Sequence, residues 1–203
     1  MLKLAVLISG GGSNLKALIE ATEQPGFPAR IVCVGADTEA PGLAHATAAG
    51  IPTFVVRPRD YGSRDEWGQV FAAAIQEHGV GTGPEPGLVV SAGLMRILPG
   101  GFVREFSPHL INTHPALLPL YPGAHAVRDA LAAGATETGV TVHIIDEGVD
   151  TGPVLRQARV DIAPGEPEDE LHERIKQLER PLLVETVREI ATGALQLEGT
   201  AAA

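Results

Sequence analysis

Two residues near the middle of the chain have types and a spacing that suit chemistry at a carbonyl. Asn112 and His114 close the short apolar run that begins at Leu110. Two apart on extended backbone, they point to the same face. A side-chain amide there can hold a developing oxyanion while the imidazole moves a proton. Beyond them Pro115, Pro119 and Pro122 fix φ, remove backbone donors and stiffen the loop that Gly123 closes. Taken alone, an N-x-H is also what a capped turn around a hydrogen-bonded histidine looks like. The rest of the chain has to decide.

A second constellation is Gly10-Gly-Gly-Ser-Asn14, set between the apolar run Leu2–Ser9 and a helical stretch from Leu15 to Ala21. A glycine-rich turn from strand to helix aims backbone N–H groups and a positive helix end at one spot, an anion site best suited to phosphate. The dinucleotide fingerprint fails, because Leu15 stands where its third glycine belongs, although Asp37 lies at a distance suited to a ribose contact. Ser13 and Asn14 can add donors or cap the helix. A third piece is Gly93-Leu-Met-Arg-Ile-Leu98. Met95, Ile97 and Leu98 form an apolar wall, or the core positions of a starting helix, and Arg96 is too polar to be buried unpaired. Asp150 sits in the loop Glu147–Pro153.

The elements that must position these residues follow from periodicity. Strands are expected at Leu2–Ser9, Arg30–Gly35, Thr53–Val56, Leu88–Ala92, Leu110–Thr113, Thr138–Asp146 and Val154–Ile162, with the last two paired antiparallel. Helices are expected at Leu15–Ala21, Ala40–Gly50, Gly62–Gly79, Ala124–Ala133 and Pro167–Thr192. In the last, Leu171, Ile175, Leu178 and Leu182 form the packing stripe, and Pro181 should kink or split the helix. Arg64 falls in a first helical turn as a surface charge. Lys176 and Glu179 share a face, as a solvated ion pair or as partners for a phosphate and hydroxyls. The alternation gives an α/β, Rossmann-like open sheet, mostly parallel, with helices on both faces and an antiparallel C-terminal strand pair. Ligands bind such sheets beyond the carboxyl ends of the strands, and there Gly10–Asn14, Gly93–Leu98, Asn112–His114 and Asp150 converge.

At 203 residues the chain suits one domain, with an N-terminal half to about residue 100, a C-terminal half from about 101 to 192, and a frayed tail over 193–203. Gly79–Gly87 is expected as a flexible surface loop. Aromatics make up only 4%, so the core should be mainly Ala, Val, Leu and Ile. The single cysteine, Cys33, forms no internal disulfide, which suits a reducing cytoplasm. The apolar start is too short to span a bilayer. A net charge of −10 argues against a broad nucleic-acid surface. The seven histidines show no metal-ligand spacing with acids or cysteine, so no metal is expected.

Together, Ile8-Ser-Gly-Gly-Gly-Ser-Asn-Leu15, Ala92-Gly-Leu-Met-Arg-Ile-Leu98, Asn112-Thr-His-Pro-Ala-Leu-Leu-Pro119 with Gly123, and Val142-His-Ile-Ile-Asp-Glu-Gly-Val-Asp-Thr-Gly-Pro153 resemble the phosphoribosylglycinamide formyltransferase family, folate-dependent enzymes of purine synthesis. The resemblance implies formyl transfer from 10-formyltetrahydrofolate to the amino group of glycinamide ribonucleotide. It implies Asn112, His114 and Asp150 as the catalytic group, Asp150 orienting His114 and favouring its charged form. Gly11, Gly12, Ser13 and Asn14 would hold the ribonucleotide phosphate, with Lys176 and Glu179 near phosphate and ribose. Arg64, Met95, Arg96, Ile97, Leu98, Asn112 and Asp146 would line the folate site. Only small-molecule partners are implied, with no membrane, for a monomer or homodimer.

Three alternatives are expected to fail. Formyltetrahydrofolate deformylase shares the triad but carries an extra amino-terminal domain, whereas the first strand here begins at Leu2. Methionyl-tRNA formyltransferase carries a carboxyl-terminal RNA-binding domain, whereas this chain is acidic and ends soon after its last helix. A non-catalytic nucleotide-binding module leaves Asn112, His114 and Asp150 without a purpose.

Overall fold

Near-continuous apolar runs make the inner strands of a sheet covered on both faces. In β1 (Leu2–Ile8), all side chains from Leu4 to Ile8 are fully buried. The computed structural model describes residues 1–81, 83 and 86–198. The further strands are β2 (Ala29–Ala36), β3 (Thr53–Val55), β4 (Leu88–Ser91), β5 (Leu110–His114), β6 (Glu137–Ile144) and β7 (Val154–Asp161). They form one seven-stranded sheet in the order β3-β2-β1-β4-β5-β6-β7. Every ladder from β3 to β5 is parallel; β5/β6 and β6/β7 are antiparallel. The direction of the sheet therefore reverses at β5, one strand earlier than the C-terminal pair alone requires.

The helices are α1 (Ser13–Thr22), α2 (Leu43–Ala48), α3 (Arg64–Gln76), α4 (Gly100–Phe106), α5 (Ala126–Ala132) and α6 (Glu168–Thr192). Alternate strand residues feed two separate cores. On one face Leu4, Val6, Ile8, Val90, Ile111 and Ile144 pack with residues of α1 and α6, an aliphatic core. On the other, Ala5, Leu7, Val89 and Leu110 pack with α3 and α4. The scarce aromatics concentrate there: Trp67–Phe71, Phe71–Phe102 and Phe102–Phe106 have ring centroids 5.2, 5.9 and 4.8 Å apart. Full burial of a side chain such as Phe71 contributes roughly 1.5–3 kcal/mol, so this column fixes α3 and α4 against the sheet.

Several details depart from expectation. Pro181 does not split the last helix, because α6 runs unbroken for 25 residues with Pro181 inside it. Pro181 and Gln177, whose carbonyl the missing N–H would have met, are both exposed, so water can satisfy the freed acceptor. The buried stripe also rotates onto Leu171, Ile175, Glu179, Leu183 and Val187, leaving Leu178 and Leu182 half-buried. Of the two readings left open for Gly93–Leu98, the helix start fails. The segment remains a loop, and α4 starts after Pro99, where two glycines hid a helix that Phe102, Val103 and Phe106 secure by burial. Within α3, Val70 is 38% exposed although Trp67 and Phe71 on either side of it are buried.

Of the tail, the described residues dock: the Leu195 N–H donates to Glu189 O, and Leu197 packs against the aliphatic core. Residues 199–203, and 82, 84 and 85 of the glycine-rich loop, lie outside the described residues.

Candidate active site

The carboxyl end of β5 is the centre of the site. Asn112 and His114 project to the α3/α4 side, as Leu110 does, and Thr113 to the α1 side. Antiparallel β6 sets His143 opposite Asn112 and Thr141 opposite His114. Cross-strand partners share a face, so β6 supplies a supporting row beneath both candidate catalytic side chains.

His114 is 4% exposed and its two ring nitrogens face two acceptors. Nε2 lies 2.8 Å from Tyr121 O, and Nδ1 lies 3.4 Å from Asp150 Oδ2. A carbonyl oxygen only accepts, so Nε2 donates. An imidazolium satisfies both neighbours, whereas a neutral ring satisfies one. The proline loop secures this pair from its own backbone: besides the Tyr121 carbonyl on His114, the Gly123 N–H donates to Asp150 Oδ2 at 2.8 Å. Tyr121 (φ 53°) and Asp150 (φ 54°) are the two non-glycine residues at positive φ among the described residues, and both touch His114. Such backbone costs of order 1–3 kcal/mol and persists where the surroundings over-determine it. Thr141 anchors the same loop, donating to Ala116 O at 2.7 Å and accepting from the Leu118 N–H at 3.1 Å.

A cleft of about 380 Å³ opens over this face. Met95, Arg96, Ile97, Leu98, Asn112, His114, Asp146 and Asp150 all line it, as do His143, Val127 and Val149. Met95 and Ile97 are 75% and 60% exposed, an apolar wall of the kind that accepts a flat ring. Asp146 closes its own loop, accepting from the Gly148 N–H at 3.0 Å and Thr151 Oγ1 at 2.7 Å. Asp37 is engaged within the protein. It is buried, accepting from Ser9 Oγ and Arg96 Nε, each at 2.6 Å. Ser9 Oγ in turn accepts from the Met95 N–H at 2.7 Å. One buried carboxylate thereby ties the ends of β1 and β2 to the Gly93–Leu98 loop.

The remaining expected residues lie outside the lining of that cleft. Arg64 donates to Ile97 O at 2.8 Å, clamping the apolar loop from behind. In the glycine turn, Gly12 takes a left-handed φ of 69° at the helix N-cap, and neither Ser13 nor Asn14 caps. The first-turn N–H groups of α1 are thus left without a side-chain partner, which is the arrangement an anion uses. Asn14 donates to Thr113 Oγ1 at 3.5 Å, and its buried Oδ1 has no partner. Lys176 and Glu179 do not pair: Lys176 donates to Glu173 at 2.7 Å, and Glu179 is only 9% exposed.

Sequence reasoning missed His143. It is 2% exposed, its Nδ1 donates to Ile144 O at 2.9 Å, and its Nε2 faces Asn112 Nδ2 at 3.2 Å and Asp150 Oδ1 at 3.6 Å. Burial holds it below the ordinary histidine value, outweighing the opposing pull of the Ile144 carbonyl and Asp150. The signal was its strand parity with Thr141, legible only once β6 is known to run antiparallel to β5. Among the described residues no group of three or more His, Cys, Asp or Glu side chains could hold a metal, and no helix is long and apolar enough to cross a membrane.

The sequence and the fold are similar to those of known proteins. The formyl transferase family matches residues 2–187. A phosphoribosylglycinamide formyltransferase of Mycobacterium tuberculosis is 48% identical over 200 residues, 98% of this chain and 90% of that protein. Glycinamide ribonucleotide transformylase 1 from Symbiobacterium toebii shares the fold at a TM-score of 0.91 and 36% identity, over 98% of this chain and 92% of that one. Phosphoribosylglycinamide formyltransferase from Brucella melitensis does so at 0.86 and 39%, over 97% and 99%. With nearly half its residues shared with one member and its fold shared end to end with two others, this chain belongs to the formyl transferase family.

Proposed function

We propose that the chain transfers the formyl group of 10-formyltetrahydrofolate to the amino group of 5′-phosphoribosylglycinamide, giving formylglycinamide ribonucleotide and tetrahydrofolate. The observation that carries this reading is the convergence of Asn112, His114 and Asp150 on one wall of the cleft, in a chain 48% identical to a protein of that name. The amine attacks the formyl carbon, and negative charge develops on the formyl oxygen. Asn112 Nδ2–H donates to that oxygen, and a cationic His114 places positive charge beside it. Asp150 compensates that charge at 3.4 Å. As the bond to the folate nitrogen breaks, one proton leaves the attacking nitrogen and one reaches the departing nitrogen. The His114–Asp150 pair is the proton store at hand.

The apolar wall of Met95, Ile97 and Leu98 takes the folate ring system, with the Asp146–Asp150 loop at its edge. The α1 end, Gly11–Asn14, takes the ribonucleotide phosphate, and Lys176 and Glu179 stand on α6, which packs against α1. Both substrates are small molecules, and the lone buried thiol of Cys33 fits a reducing cytoplasm. A spectrophotometric assay of folate release from 10-formyltetrahydrofolate, with and without glycinamide ribonucleotide, tests the reading. Release strictly dependent on the ribonucleotide is expected. Release without it would identify water as the acceptor, and no release in either case would leave a binding module.

A further inference from the structure

The Asn112 side chain has two ends alike in shape and opposite in chemistry. Nδ2 donates and Oδ1 accepts, and only the donor stabilises a developing oxyanion. Something must therefore fix which end faces the formyl oxygen. We propose that His143 is a positioning residue that sets the Asn112 amide: its Nε2 lone pair takes one Nδ2–H and leaves the second for the substrate oxygen. This rests on the formyl-transfer reading, in which Asn112 is the donor to that oxygen.

Three observations lead there. The β5/β6 register places His143 directly opposite Asn112, so the contact is built into the strands and not into a mobile loop. The tautomer is set by Ile144: its carbonyl, 2.9 Å from Nδ1, can only accept, so the ring proton sits on Nδ1. Burial at 2% exposure keeps the ring uncharged, which leaves Nε2 as a bare lone pair. That lone pair has two polar neighbours, Asn112 Nδ2 at 3.2 Å and Asp150 Oδ1 at 3.6 Å. Opposite a carboxylate it gains nothing, so its hydrogen bond comes from Asn112. A protonated His143 would reverse the arrangement, donating to Asp150 and turning the acceptor end of Asn112 toward itself.

Two near-isosteric variants separate this role from core filling. His143→Asn keeps a polar atom near the Nδ1 position, and with it the bond to Ile144 O, but has nothing at the Nε2 position. His143→Gln places an amide oxygen near Nε2 and can accept from Asn112. H143N should lower kcat about 100-fold, the scale of losing one oxyanion donor, with KM for both substrates little changed. H143Q should recover at least about tenfold of that loss. In an N112A background, H143N should cost less than about threefold more, because it acts through Asn112. His143→Leu stands in should H143N not fold, with the same expected loss. Near-normal kcat in H143N, H143Q as poor as H143N, or an undiminished loss in the N112A background would each overturn the proposal. Near-normal turnover in N112A alone would instead remove the donor from the formyl-transfer reading, and that single variant tells the two failures apart.

Discussion

Asp150→Asn is the sharpest test of how the site handles charge. Asparagine preserves the shape and tolerates the left-handed backbone at position 150 as well as aspartate does. Its Oδ1 still accepts from the Gly123 N–H, so the proline loop stays anchored. What disappears is a negative charge 3.4 Å from His114 Nδ1, in a corner where the two side chains are 5% and 15% exposed. At an effective dielectric of ~20 such a pair interacts by about 5 kcal/mol. The amide dipole and water reaching the partly exposed position recover some of that, leaving about 3–4 kcal/mol, or a 100- to 1000-fold loss of kcat. The readout is the initial rate of ribonucleotide-dependent folate release, with substrate affinities measured separately by calorimetry. Affinities should stay within a few-fold of the parent, since the charge is used as the oxyanion forms. A folded D150N enzyme within tenfold of the parent rate would refute the reasoning, because it would show that His114 works without its counter-ion.

Two other outcomes follow from groups away from the reacting atoms. Asp37→Asn keeps an acceptor for Ser9 but releases the Arg96 guanidinium, loosening the Gly93–Leu98 loop. Re-ordering that loop on binding should raise KM for the formyl donor by ~3–10-fold with kcat little changed; an unaltered KM would mean the Arg64 clamp on Ile97 suffices. The second concerns acid. Burial holds both His143 and His109 below the ordinary histidine value, so the unfolded chain takes up protons first as pH falls. The stability these neutral rings contribute is complete above roughly pH 6.5 and is lost as pH drops toward their folded values. Asp150 and Asp146 oppose that shift at His143, while His114 reinforces it. Urea midpoints measured from pH 7.5 to 5.5 should fall, and fall less in H143Q; a flat profile for the parent would contradict the burial argument.

The framework was legible because its signals are local. Continuous apolar runs marked β1 and β4, glycine turns marked the strand ends, and the rule that ligands gather at those ends brought Asn112, His114 and Asp150 to one rim. What escaped was set by long-range geometry. The reversal of strand direction at β5 leaves no composition signal, and with it went the pairing of Asn112 with His143. The structural role of Asp37 was hidden because its partner, Arg96, lies 59 residues away. Glycines concealed α4, whose stability comes from packing three apolar side chains and not from propensity. Pro181 was over-weighted because its cost depends on whether water reaches the orphaned carbonyl, which only the burial pattern shows.

Strand parity at the end of β5 explains why the two proposed binding regions can share one reaction centre. Asn112 and His114 look toward the apolar cleft on the α3/α4 side. Thr113, between them, looks the other way and accepts from Asn14 in the first turn of α1. Three consecutive residues thus address both faces of the sheet. A folate held against Met95 and Ile97 and a ribonucleotide phosphate held at the α1 end approach from opposite sides and can meet only beyond the strand's last residues. Extended backbone alternates its side chains by construction, so this division needs no loop to move. The proline loop and the Asp146–Asp150 loop then have one remaining task, to hold His114 and Asp150 in register with that meeting point. The strained backbone at Tyr121 and Asp150 is where the cost of doing so is stored.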